Sequence, residues 1–320
     1  MEFNKSKKIL VIGRAGMDIY PEPPGTKISE VKNFSTHLGG SAANTCVALS
    51  QLGVQSDLLT CVSEDAIGEY IFEKLREFNV GSNLCRRVEN KFQTQVAVVE
   101  TILKNNQSIL YRNNPCDLQL NKNDIDNINF QDYSAVFISG TALSSNPSRD
   151  AVFYATQKAS SLSIPLIIDM DYRPYNWESD EIKSNIYKKI MNEMDIIIGN
   201  DLEFNIADNS TKGFQLAKSF INEKPSIIIY KMGEKGSTVI TKEKEQNFGI
   251  FKVEAIKPTG AGDAFNGGFI SSILQGYSLE DSIKRGSANA AIVVTKVGCS
   301  SAMPNTDELE NFINQQTMEI

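Results

Sequence analysis

The sequence predicts an α/β fold in which a doubly wound, mostly parallel sheet carries a small second β-sheet as a lid. One observation is that helical stretches alternate with short apolar runs typical of buried strands, at 135–139, 164–169, 195–198 and 226–230. The other is that two more strand-like runs, 94–101 and 108–112, flank a polar turn at 104–107, which indicates a hairpin. We expect this hairpin to form part of the lid.

The predicted core and lid take alternate parts of the chain. We expect the lid to comprise residues 19–38 and 92–114, and the core to comprise residues 1–18, 39–91 and 115–320. The first lid segment is predicted to be irregular or edge-strand chain, because it contains Pro21, Pro23 and Pro24.

The composition excludes several classes of function. The chain has 320 residues, is 41% hydrophobic and carries a net charge of −7, so it lacks the basic footprint of a nucleic-acid-binding protein. His37, the one histidine, leaves no histidine-rich zinc site. The five cysteines are scattered without a CxxC motif, which favours reduced thiols. Since no apolar run has membrane-spanning length and Met1–Lys5 lack a signal-peptide core, we expect a cytoplasmic protein without membrane contact.

The stretch Pro258–Phe269 combines a glycine turn with a helix that begins at an acidic residue. Gly260 and Gly262 allow backbone N–H groups to crowd around an anion, and a helix start adds partial positive charge. Asp263 would lie in the first helical turn, where its carboxylate could take a proton from a hydroxyl beside the held phosphate. A glycine turn whose acidic residue only stabilises the helix is the alternative. Neither a GxGxxG motif nor a GxxxxGK[ST] motif occurs anywhere in the sequence.

Two motifs at this spacing resemble the signatures of the PfkB, or ribokinase-like, family of carbohydrate kinases. Gly39–Asn44 matches the first and Gly260–Asp263 the second, with Asn200–Glu203 between them, and the resemblance covers nearly the whole chain. It implies an ATP-dependent sugar kinase that uses Mg²⁺. It also implies a possible homodimer through the lid.

The resemblance assigns roles to the residues that match the family's motifs. Asp263 is implied to be the base, and the N–H groups of Gly260, Ala261 and Gly262 the anion hole. Mg²⁺ is implied to be bound through water by Asn200 and Glu203. The implied nucleotide-binding residues are Asn200, Lys231, Gly233, Gly236, Gly262 and Asn289. The implied sugar-binding residues are Asp18, Gly39, Gly40 and Asn44.

Four further stretches narrow the resemblance, and they are Gly13–Tyr20, Tyr111–Asp117, Asp169–Pro174 and Cys299–Pro304. They are similar to family members that act on an acidic sugar of myo-inositol catabolism and phosphorylate its 6-hydroxyl. We expect Arg14, Arg112 and Arg173 to bind the substrate, because a guanidinium can grip a carboxylate with two hydrogen bonds. A kinase for 2-keto-3-deoxygluconate or fructose, or a non-catalytic sugar-binding regulator, is the alternative. Lys257-Pro258 replaces the Asp-Thr associated with a monovalent-cation loop, which leaves the monovalent cation uncertain.

Overall fold

The computed structural model describes residues 3–89, 91–102 and 107–319. The strands are β1 (Lys8–Ile12), β2 (Gly16–Glu22), β3 (Asn33–Gly39), β4 (Ser56–Ser63), β5 (Cys85–Val88), β6 (Gln95–Val99), β7 (Ser108–Tyr111), β8 (Tyr133–Ser139), β9 (Leu166–Asp169), β10 (Ile196–Asn200), β11 (Ile227–Lys231), β12 (Ser237–Ile240) and β13 (Glu245–Phe248). The helices are α1 (Ser41–Gln51), α2 (Ala66–Glu77), α3 (Lys122–Asp126), α4 (Ser148–Ser161), α5 (Asp180–Met191), α6 (Asp201–Asp208), α7 (Gly213–Phe220), α8 (Ala261–Gln275), α9 (Leu279–Val294) and α10 (Thr306–Gln315). Within the described ranges, none of these helices is both long and apolar enough to cross a membrane.

The described residues form two compact units, one from residues 1–12 and 118–250 and the other from residues 13–117 and 251–319. In the first unit, β1, β8, β9, β10 and β11 pair in parallel. The strands β12 and β13 continue the sheet beyond β11 in antiparallel pairing. The helices α3 to α7 lie between these strands in the sequence. The predicted alternation of strands and helices, and with it the fold class, is confirmed.

The parallel strands form because their side chains are apolar on both faces. Every residue of β8 and β9 is buried, and Ile196, Ile197 and Ile198 of β10 are fully buried. Continuous apolar runs are typical of parallel strands covered by helices on both sides. Charged side chains close two of these strands, since Asp169 is the last residue of β9 and Lys231 is the last residue of β11. Polar residues therefore gather at the carboxyl edge of this sheet, where ligands bind in open α/β folds.

The second unit contains a four-stranded sheet in the order β3-β2-β6-β7. Its strands come from the segments predicted to form the lid, and β6 and β7 pair as an antiparallel hairpin as expected. The hairpin's predicted turn residues Lys104–Asn106 lie outside the described residues. The division of the chain into core and lid stays a prediction.

Residues 19–38 match the expectation of irregular or edge-strand chain only in part, because β3 is an edge strand of this sheet and β2 is not. They contribute to two regular strands, and β2 lies inside the sheet rather than at its edge. Pro21 is tolerated there because β2 pairs with β3 over its full length but with β6 only from Gly16 to Ile19. The missing N–H of Pro21 therefore falls where the second neighbour has already ended.

Helix α8 packs closely on two other helices of the second unit. A Cβ atom on Gly267 would lie 2.2 Å from Cβ of Ala48 in α1, and one on Gly268 would lie 3.0 Å from Cα of Gly286 in α9. The absence of side chains at these two positions lets the three helices approach one another. Gly276 ends α8 in a left-handed conformation. This packing fixes the position of the glycine turn at the start of α8.

Candidate active site

The start of α8 has the geometry of an anion-binding turn. Gly260 adopts a left-handed conformation with φ of 86°, and the helix begins at Ala261. The N–H groups of Gly260 and Gly262 have no hydrogen-bond acceptor in the part of the chain that the structure describes. Together with the positive end of the helix dipole, such amides suit a phosphate group. A Cβ atom on Gly260 would lie 2.7 Å from Sγ of Cys299, so this position requires glycine on two counts.

Asp263 lies in the first turn of α8 and is oriented by a neighbouring amide. Asn44, a buried residue of α1, donates from Nδ2 to Oδ2 of Asp263 at 2.8 Å. A hydrogen bond from an N–H donor favours the ionised carboxylate, which is the form that a base needs. Oδ1 of Asn44 is buried and has no hydrogen-bond partner among the described residues, so it could accept a bond from a substrate hydroxyl.

Asp18 lies in the middle of β2 and is almost completely buried. Burial raises the pKa of this carboxyl group from 3.8 to about 6, and the positive charges of Arg14 and Lys257 oppose that change. A Cβ atom on Gly39 would lie 2.1 Å from Oδ1 of Asp18, so glycine makes room for the carboxylate. Gly40 has φ of 90°, and a Cβ atom there would lie 2.6 Å from the carbonyl oxygen of Arg14. The residues predicted to bind sugar thus lie in the same unit as the predicted base.

Two of the predicted substrate-binding arginines, Arg14 and Arg112, lie in this unit and belong to a buried polar network. Arg112 forms a two-point ion pair with Asp117, at 2.7 and 2.6 Å, and both side chains are about 5% exposed or less. Gln95 accepts hydrogen bonds from both Arg112 and Arg14 through Oε1. A substrate carboxylate would therefore meet Arg112 as part of a neutralised pair rather than as a free cation. Its role in substrate binding stays a prediction.

In the first unit, Asn200 and Glu203 form a reciprocal capping box at the start of α6. Oδ1 of Asn200 accepts from the N–H of Glu203 at 2.9 Å, and Oε2 of Glu203 accepts from the N–H of Asn200 at 2.8 Å. Oε1 of Glu203 also accepts from the N–H of Tyr172. Burial, together with the negative charge of Asp169, raises the pKa of Glu203 from 4.5 to about 7, and the positive charge of Lys231 opposes this change.

The carboxylate of Glu203 suits Mg²⁺ only when a water molecule lies between the carboxylate and the ion. Both oxygens of Glu203 already accept backbone N–H groups. No three His, Cys, Asp or Glu side chains of the described residues are arranged to hold a metal ion directly. A carboxylate oxygen that accepts one N–H group can still accept a hydrogen bond from water, and Mg²⁺ in proteins usually keeps several bound waters. The predicted water-mediated binding by Asn200 and Glu203 is therefore compatible with the geometry.

Arg173 and Lys231 each lie beside an aspartate of the first unit. Arg173 contacts Oδ1 of Asp171 at 3.1 Å and remains about 43% exposed, so its guanidinium can still reach a ligand. Nζ of Lys231 lies 3.7 Å from Oδ1 of Asp169. These pairs place two cations at the carboxyl edge of the parallel sheet, where the predicted anionic ligands would bind.

The remaining predicted nucleotide-binding residues differ in their surroundings. Gly233, with φ of 59°, has open space around it, whereas a Cβ atom on Gly236 would lie 2.0 Å from the carbonyl oxygen of Phe248. Asn289 is fully buried and donates from Nδ2 to the carbonyl of Ala264 at 2.6 Å, which joins α9 to α8. This hydrogen bond helps to position α8, the helix that contains Asp263.

Sequence reasoning left some residues of these sites without a role. Asp117 and Gln95 were not predicted, because no sequence motif marks the buried partner of an arginine. Asp169 and Asp171 could have been found from their place just after a predicted strand. Lys257 was noted only as a departure from a motif, yet it is fully buried beside the anion-binding turn.

Comparisons with known proteins agree with this arrangement. The model of the pfkB family carbohydrate kinases matches residues 6–306. A 5-dehydro-2-deoxygluconokinase of Photobacterium profundum is 36% identical over 319 residues, which cover 97% of this chain and 96% of that protein.

Two solved structures share the fold. A fructokinase variant of Vibrio cholerae, in fructose-, ADP- and potassium-bound form, has a TM-score of 0.85 at 21% identity and covers 98% of this chain and 100% of its own. An E. coli chain provisionally described as ribokinase II, in complex with ATP and Mg²⁺, has a TM-score of 0.86 at 21% identity. The match covers 97% of this chain and 99% of the E. coli chain. The family resemblance of the two glycine motifs is thus confirmed. The chain belongs to the pfkB family of carbohydrate kinases.

Proposed function

We propose that this chain transfers the γ-phosphoryl group of ATP to the 6-hydroxyl of 5-dehydro-2-deoxy-D-gluconate, a step of myo-inositol catabolism. The full-length relative of that name supports the substrate. The observation that carries the chemistry is the carboxylate of Asp263, oriented by Asn44 next to the unpaired amides of Gly260 and Gly262. A cytoplasmic location, where ATP and reduced thiols are available, is part of the proposal.

In the proposed reaction, Asp263 accepts the proton of the 6-hydroxyl while the alkoxide oxygen forms a bond to the γ-phosphorus of ATP. The bond from that phosphorus to the β,γ-bridging oxygen breaks, and ADP leaves with the electron pair. The N–H groups of Gly260, Ala261 and Gly262 stabilise the charge on the transferred group. When bound, Mg²⁺ supplies positive charge to the triphosphate, and Asn200 and Glu203 would hold it through water.

Each substrate has its own proposed set of binding residues. Asp18 and Asn44 would bind sugar hydroxyls, and Gly39 and Gly40 leave room for that contact. The sugar carboxylate would be met by Arg14, Arg112 and Arg173. The nucleotide would be bound by Asn200, Lys231, Gly233, Gly236, Gly262 and Asn289.

A homodimer through the four-stranded sheet is also part of the proposal. Phe34, Ile109 and Tyr111 are exposed on this sheet, while Leu110 packs against the buried cluster around Tyr20. Since side chains alternate along a strand, Ile109 and Tyr111 share the face opposite that cluster. An exposed apolar face of this kind is typical of an interface. Light scattering on purified protein tests it, and a monomer at micromolar concentration would contradict it.

The function is tested by measuring ADP release with Mg-ATP and a panel of sugars. The panel contains 5-dehydro-2-deoxygluconate, 2-keto-3-deoxygluconate, fructose, ribose and a control without sugar. We expect the first acid to have the highest kcat/KM. A clear preference for another sugar would keep the kinase and reject the inositol assignment, and silence across the panel with folded protein would favour a regulator.

A further inference from the structure

The ammonium group of Lys257 is enclosed by backbone carbonyls. Its side chain is fully buried, and Nζ donates to the carbonyl oxygens of Thr259 at 2.7 Å and Val293 at 3.2 Å. A lysine is almost never buried completely unless its charge is compensated, because an ammonium ion is costly to desolvate. Burial lowers the pKa of Lys257, and the carboxylates of Asp18 and Asp263 act in the opposite direction.

The contact with Thr259 controls the first amide of the anion-binding turn. The carbonyl of Thr259 and the N–H of Gly260 belong to the same peptide group. In a planar trans peptide these two bonds point in opposite directions. An ammonium ion that holds the carbonyl inward therefore turns the Gly260 N–H outward, toward the position of the anion.

The contact with Val293 anchors the same loop to the end of α9. The last carbonyls of a helix form the negative end of the helix dipole, so they favour a cation. The carbonyl of Val293 accepts from the N–H of Lys296 at 3.3 Å as well as from Lys257. The backbone adds a second tie, because the N–H of Ile256 donates to the carbonyl of Val294 at 2.9 Å. Lys257 thus connects the loop before α8 to a rigid neighbouring helix.

We propose that Lys257 is a positioning residue whose tethered ammonium group replaces a bound monovalent cation and presets the anion hole. Backbone carbonyls, the ligands of this ammonium group, are also the groups that coordinate K⁺ in protein sites. The importance of the anion hole rests on the proposed kinase function. The enzyme should then need no added K⁺, whereas a variant without the ammonium group should acquire a cation requirement.

The first test measures cation binding without any substrate. In Lys257→Ala, ammonium or potassium chloride should raise the melting temperature by roughly 2 °C relative to choline chloride at equal ionic strength. The wild type should not respond. Lys183→Ala removes another buried lysine, in α5, and is the matched control that should not respond either.

The second test measures turnover in the same salts. Wild-type kcat should change less than about twofold between choline and potassium. Lys257→Ala should lose roughly 10²- to 10³-fold in kcat, as for a misplaced anion-hole donor, with the sugar KM nearly unchanged. Ammonium, methylammonium or potassium should restore at least about tenfold. Lys257→Met, which fills the space without charge, should lose turnover and resist rescue.

Three results would overturn the inference. They are a wild type that requires K⁺, a folded Lys257→Met with wild-type kcat, and a Lys257→Ala whose melting and turnover ignore every cation. If the wild type phosphorylates no sugar, the proposed function fails instead, and the melting experiment still decides whether the carbonyls bind a cation.

Discussion

Replacing Asp263 by asparagine tests the proposed base most directly. In the wild type, Oδ2 of Asp263 accepts from Nδ2 of Asn44 at 2.8 Å. The amide of Asp263→Asn would turn its oxygen toward that donor, which leaves an NH₂ group facing the substrate. This group donates hydrogen bonds and cannot take a proton. We therefore expect a loss of about 10²- to 10⁴-fold in kcat, equivalent to roughly 3 to 5 kcal/mol of transition-state stabilisation.

The assay is ADP release at saturating 5-dehydro-2-deoxygluconate, with sugar affinity measured separately by calorimetry. Affinity should stay within about threefold of wild type, because shape and the bond to Asn44 are kept. Asp281→Asn is the control, since Asp281 is an exposed acid in the first turn of α9. A folded Asp263→Asn variant with wild-type kcat would refute the assignment of the base.

Three further predictions concern other residues of the two units. Asn44→Ala removes the bond that orients the base and should lower kcat/KM roughly 10- to 100-fold in the ADP-release assay; an unchanged value would contradict this role. Asp18 has a folded-state pKa of about 6 against 3.8, so its contribution to stability is complete below 3.8 and is lost as pH rises through about 6. We therefore expect the unfolding free energy of Asp18→Asn, measured in urea, to rise relative to that of wild type by up to roughly 3 kcal/mol from about pH 4 to about pH 8. A difference between the two proteins that does not change with pH would contradict the raised pKa of Asp18. Gly236→Ala should lower the melting temperature clearly more than Gly233→Ala, because its Cβ would strike a carbonyl oxygen while Gly233 has open space; equal losses would contradict the packing described.

Local pattern was sufficient to predict the parallel sheet and the glycine turn at the start of α8. The strands β8 and β10 contain continuous apolar runs, 135–138 and 196–198, which are typical of buried parallel strands. The glycines before Asp263 and the apolar spacing after it define a helix start from neighbours in sequence alone. Both features depend on residues within a few positions of one another, so a single sequence contains the information.

Features that depend on distant partners were not predictable in this way. Pro21 indicated an edge strand, and only the early end of β6 explains why an inner strand can hold it. The hydrogen bond from Arg14 to Gln95 joins residues that are 81 positions apart. The surroundings of Lys257 depend on Val293, which is 36 positions away. A departure from a motif signals a change without indicating what replaces the lost contact.

The burial of Cys299 against Gly260 has a consequence for the chemical durability of the enzyme. Thiols near anion-binding helix starts are often activated, because positive potential stabilises the thiolate that reacts with oxidants and alkylating agents. Here burial raises the pKa of Cys299 to about 12, with Lys257 acting in the opposite direction. The sulfur is protonated and covered, and the OH group of Tyr20 lies 3.4 Å from it. Peroxide or iodoacetamide, at doses that modify exposed thiols, should therefore leave the glycine turn at the start of α8 intact, and catalytic capacity should survive oxidative conditions.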